Sequence, residues 1–88
     1  MEDMFGKLRV QLELLEWPNV YLFKFIVPNH PDKIALSNAL FDDTAEIVMH
    51  PSSQGTYISI SAKELMLDVD SIIAKYEKAS LIEGIISL

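Results

Sequence analysis

The chain has 88 residues, 13 acidic and 7 basic for a formal net charge of -6, and half of it is hydrophobic. That suits one domain with a radius of gyration of about 12 Å and excludes a disordered tail. Without cysteine there is no disulfide, thiolate nucleophile, iron–sulfur cluster or Cys-based zinc site, and an acidic balance with one arginine disfavours nucleic acid, where Lys and Arg replace condensed counterions.

Over residues 4–17, Met4, Phe5, Leu8, Leu12 and Leu15 recur at spacings of three and four, widened by Val10, Leu14 and Trp17, which predicts an amphipathic N-terminal helix stopped by Pro18. Residues 19–27 are rich in aromatic and β-branched side chains and predict a first strand. Tyr21, Phe23, Phe25 and Val27 share one face, and Leu22, Lys24 and Ile26 the other, which the lysine marks as more exposed. Residues 28–32 then turn into a helix ending near Phe41, with Asn29 or His30 as cap, Pro31 at the first helical position and Asp32 at the positive end.

Residues 45–50 alternate as a second strand, Ala45, Ile47 and Met49 against Glu46, Val48 and His50. After the turn formers at 51–55, residues 56–63 resume alternation, with Ile58, Ile60 and Ala62 against Tyr57, Ser59, Ser61 and Lys63. The two strands predict an antiparallel hairpin. Asp68 caps a well-patterned helix carrying Val69, Ile72, Ile73, Tyr76 and Ala79, and residues 81–88 close with a β-rich run in which Gly84 marks a bulge.

The order βαββαβ after an N-terminal helix is the α+β, ferredoxin-like split βαβ sandwich. Right-handed crossovers place both helices on one face of a four-stranded antiparallel sheet ordered fourth, first, third, second. Residues 1–18 form the N-terminal helical arm and 19–88 a single domain. The expected core is Tyr21, Phe23, Phe25, Ile47, Met49, Ile58, Ile60, Ile72, Ile73 and Tyr76. The acidic start at residues 1–5 is unlike a secretory signal, and no stretch reaches the roughly 20 apolar residues of a membrane span, so a cytoplasmic protein is expected.

Leu14-Leu15-Glu16-Trp17-Pro18, followed by an aromatic strand containing Lys24, resembles the opening of the YbeD-like family of small uncharacterised bacterial proteins, which usually has Phe in place of Trp17. His50-Pro51-Ser52-Ser53-Gln54-Gly55-Thr56-Tyr57 resembles that family's Pro-Ser-Ser-x-Gly-x-Tyr hairpin, and the likeness runs from about Leu12 to Leu88. The resemblance implies a ferredoxin-like fold similar to ACT-type regulatory domains, without implying an activity.

The hairpin residues Pro51, Ser52, Ser53 and Gly55 are a candidate anion loop, since successive backbone N–H groups in a tight turn can converge on one point. The plainer role of these residues is turn geometry. His50 near Ser52 and Ser53 lacks a nucleophile elbow and an orienting carboxylate, so hydrolase chemistry is not expected. His30 and His50 sit on different turns with no carboxylate pair to complete a metal site. The loop at 28–31 has no arginine for acylphosphatase-type chemistry, the one arginine being Arg9. An RNA-recognition motif shares the topology, but only Tyr57 offers a stacking ring beside Leu22 and Ile26.

What the pattern leaves open is a sheet face bearing Leu22, Lys24, Ile26, Val48, His50, Tyr57 and Ser59, too apolar to be idle. The expectation is a non-enzymatic regulatory or interaction module without cofactor, contacting a protein partner or itself as a homodimer through that face or an edge strand. The alternatives are an ACT-like sensor of an anionic or amino-acid metabolite and a weak single-strand nucleic-acid binder.

Overall fold

The computed structural model describes residues 5–88. The elements are α1 (Gly6–Glu13), β1 (Asn19–Pro28), α2 (Pro31–Asn38), β2 (Glu46–Pro51), β3 (Tyr57–Met66), α3 (Val69–Ala79) and β4 (Ile86–Ser87). β1 and β3 run antiparallel in unbroken register from Asn19 opposite Met66 to Pro28 opposite Tyr57. β2 joins the far side of β3 and β4 the far side of β1, for a sheet order β2-β3-β1-β4. The architecture of the described residues is therefore α+β, a four-stranded antiparallel sheet with three helices, compatible with a ferredoxin-like arrangement.

Period-two alternation sorts the two central strands. Phe23, Phe25 and Val27 of β1 and Ile58, Ile60, Ala62 and Met66 of β3 are buried on one side. Ile72, Ile73, Tyr76 and Ala79 of α3 recur at helical spacing and pack there with Phe41 and Leu12 of α1, while Ile34 of α2 packs on Val27, Ile58 and Ile60. All three helices thus cover the same face. The N-terminal helix lies on its own domain: the Phe5 and Tyr76 ring centroids are 6.0 Å apart, Arg9 Nη1 reaches Asp70 Oδ1 at 2.7 Å, and the Trp17 indole donates to Leu12 O at 2.9 Å.

Several expectations need correction. α1 ends at Glu13, five residues before Pro18, and leaves Leu14 and Leu15 exposed; Met4, its expected start, lies outside the described residues. α2 ends at Asn38 instead of Phe41, which follows in a turn and is buried. Of the two cap candidates, His30 is the α2 N-cap, as one of the expectations had it, though its side chain makes no cap bond, and Asn29 donates to Gly55 O. Met49 is 42% exposed, because β2 is an edge strand that the last residue of α2, Asn38, touches at Met49 Sδ (3.9 Å) without covering it. The closing strand shrinks to Ile86–Ser87, and Gly84 is a turn residue with φ +84, not a bulge: a Cβ there would meet Pro28 Cγ at 2.8 Å.

The start of α3 is set by Asp68, whose Oδ1 accepts from the Ser71 N–H at 2.8 Å and from the Ser71 hydroxyl at 2.6 Å. Those bonds hold its carboxyl below the ordinary aspartate value of 3.8. A lowered folded-state pKa gives stability that is present above 3.8 and is lost as pH falls through the folded value. Asp68→Ala is therefore expected to melt below the wild type at neutral pH. Its deficit should shrink below pH 3.8 in thermal scans, and a deficit constant across that range would show that the cap carboxylate is not the cause.

Candidate interaction face

The side of the sheet away from the helices is assembled by the two registers. One row crosses Glu46, Lys63 and Leu22, the next Val48, Ser61 and Lys24, and the third His50, Ser59, Ile26 and Ile86. Tyr57 lies opposite Pro28 at one end and Leu65 opposite Val20 at the other. Leu22, Lys24, Ile26, Val48, His50, Tyr57 and Ser59 therefore share one face.

This face is wet and apolar together. Val48 is 51% exposed and Leu22 and Tyr57 are each 45% exposed, while Ile26, Ser59 and Ser61 are half-buried by their neighbours. Val20, Leu65 and Ile86 extend the apolar area beyond the residues the alternation singled out. Lys24 and Lys63 stand on it against one strand acid, Glu46, whereas the whole chain carries a net charge of -6. The open face thus carries a small local excess of positive charge on an acidic chain. Glu46 lies opposite Lys63, an opposite-charge cross-strand pair. Around that pair is a depression of about 490 Å³ lined by Val20, Thr44, Glu46, Lys63, Glu64 and Leu65.

The hairpin loop lies at the other end of β3. Its Ser52 N–H donates to Tyr57 O at 2.8 Å, its Gly55 N–H donates to Ser52 O at 2.9 Å, and Gly55 has φ +74. Ser52 Oγ accepts from the Tyr57 N–H at 3.2 Å, and the Asn29 N–H and amide group reach Thr56 O and Gly55 O. Pro51, Ser52, Ser53 and Gly55 are all exposed, and the Ser52 and Gly55 amides already bond within the turn. The loop is braced against the β1–α2 turn. His50 lies on the open face, where its carbonyl accepts from Ser59 Oγ at 3.3 Å.

Two pairs of polar groups meet on the helix side, while the Asn38 Oδ1 at the end of α2 is buried without a hydrogen-bond partner among the described residues. Lys75 Nζ lies 2.5 Å from Glu64 Oε1 and 4.9 Å from the Phe41 ring centroid, and Glu64 Oε2 accepts from the Asp42 N–H at 3.1 Å. The Tyr21 and Tyr76 hydroxyls meet at 2.9 Å, and burial with that bond pushes the Tyr76 phenol up, so it stays protonated. Asp42 is held below the ordinary carboxylate range by its bonds from Thr44. Glu64 escaped the sequence reading because the third strand was expected to end at Lys63. Among the described residues no group of three or more His, Asp or Glu could hold a metal ion, and no helix is long and apolar enough to cross a membrane.

The chain matches no protein-family model, no curated protein and no solved structure.

Proposed function

We propose that this chain is a non-enzymatic, cytoplasmic, ferredoxin-like interaction module with a regulatory role, similar to YbeD-like proteins, that receives a protein partner on its open sheet face. The observation that carries the reading is the uncovered face itself: Leu22, Val48 and Tyr57 are exposed beside Lys24 and Lys63 while all three helices pack opposite. Contiguous exposed apolar surface marks contacts in small soluble domains. Its local excess of positive charge selects a partner whose apolar contact is rimmed by acid.

For the metabolite-sensor alternative, the hairpin offers fewer free amides than its sequence suggests, since the Ser52 and Gly55 N–H groups are bonded within the turn. The test is recovery of tagged protein from its native host, read by native mass spectrometry, for the wild type and the Leu22→Asp/Ile26→Asp variant. The wild type should carry a foreign subunit that the variant lacks at unchanged far-UV circular dichroism. A subunit retained by the variant sinks the open face as the interface, and a small bound molecule in place of a subunit favours the sensor.

A further inference from the structure

β2 forms one edge of the sheet, bonded to β3 on one side only. Bonded and non-bonded residue pairs alternate along an antiparallel ladder, and the Ser52 N–H bonds to Tyr57 O at the hairpin end. Counting back from Ser52, His50, Val48 and Glu46 turn their backbone groups toward β3, while Met49 and Ile47 turn theirs outward. Pro51 also faces outward, with a carbonyl and no N–H. Natural edges are commonly guarded by charged side chains, prolines, bulges or a covering element. β2 has a charge only at its first residue, Glu46, and a proline only at its last, Pro51; between them its register with β3 is unbulged and Val48 and Met49 are exposed.

We propose that β2 is a self-association edge: a second copy of this chain pairs its own β2 antiparallel to the first about a two-fold axis at Val48, continuing the sheet across both copies. The proposal goes beyond the partner-binding reading and does not depend on it. A two-fold contact must be self-complementary, and the strand allows this in one register. Paired residues share a sheet face, so only residues of like parity can stand opposite each other. The registers near the strand's middle are therefore centred on Ile47, Val48 or Met49. Centring on Ile47 puts Met49 against Ala45, whose N–H already bonds Asp42 O. Centring on Met49 puts Ile47 against Pro51, which has no N–H to give.

Centring on Val48 sets Ile47 against Met49 of the second copy, and their outward N–H and C=O groups satisfy each other in both directions. The same register brings the two Val48 side chains together as a non-bonded pair, where side chains approach most closely. It also sets Glu46 of each copy opposite His50 of the other on the open face, a carboxylate facing an imidazole that can donate to it. Backbone, apolar and polar complementarity thus agree in a single register. Two short strands bury less than the roughly 1,200 Å² of a standard stable interface, so the dimer is concentration-dependent.

Sedimentation equilibrium of the full chain from about 10 μM to about 1 mM tests this. The wild type should rise from monomer to dimer mass. Met49→Pro should stay at monomer mass with unchanged circular dichroism, because the N–H it removes faces away from β3. His50→Glu, which sets two acids opposite each other, should weaken the dimer about tenfold, and Glu46→Lys/His50→Glu should recover it. The charge pair decides the matter even if Met49→Pro disturbs the fold. A wild type that stays monomeric to about 1 mM, or a dimer indifferent to His50→Glu, overturns the proposal. Leu22→Asp/Ile26→Asp should dimerise normally; loss of the dimer there with retention in His50→Glu would assign the contact to the open face instead.

Discussion

Replacing Lys75 by methionine is expected to lower the unfolding free energy by about 3 kcal/mol, read as a fall in the urea midpoint at constant slope. The Lys75 and Glu64 side chains are 14% and 6% exposed, so their ion pair is largely withdrawn from water. Methionine keeps most of the aliphatic stem and removes the charge, and with it the ammonium that lies over the Phe41 ring. Glu64 is then left buried with the Asp42 N–H as its remaining hydrogen-bond donor, and an uncompensated buried carboxylate is costly. Adding Glu64→Gln should return most of the loss, since the amide keeps an acceptor for Asp42 and carries no charge to desolvate. A loss below about 1 kcal/mol for Lys75→Met would show that water reaches the pair as it does in exposed salt bridges.

The same pair shows where sequence reasoning stops. Alternation in β1 sorts Phe23 and Phe25 from Leu22 and Lys24 using local information alone, and the Asp68 cap is equally local. The grouping of Leu22, Lys24, Ile26, Val48, His50, Tyr57 and Ser59 on one face is legible for the same reason. Extending alternation past Lys63 would have put a charged Glu64 on the helix side, which makes sense only once Lys75 is known to lie against it. Met49 fails differently. Parity assigns it to the helix side, but parity cannot say whether a helix reaches the edge, and α2 ends at Asn38. At the C-terminal end the β-rich composition of residues 81–88 is overridden by the turn at Gly84, whose positive φ and closeness to Pro28 leave only Ile86–Ser87 to pair with β1.

Phe23→Ala is expected to cost about 4 kcal/mol, as truncation of a fully buried ring does. Phe23 has no exposed surface and sits on a central strand opposite Ala62, which is too small to fill a space left behind. Its ring centroid lies 4.7 Å from that of Tyr21, 5.4 Å from Tyr76 and 5.5 Å from Phe41. Those rings are fixed by their own contacts, Tyr21 and Tyr76 by the hydroxyl bond between them, so the site cannot collapse and a cavity remains. A domain of this size has about 5–15 kcal/mol of stability in total, so the variant should melt roughly 20 °C lower. Leu22→Asp, one residue away on the open face, should shift the midpoint little, because its side chain already meets water. The contrast between adjacent residues separates the layer that holds the fold from the face offered to a partner. Equal losses at Phe23 and Leu22 would show that both faces are buried and would remove the basis for a free docking surface.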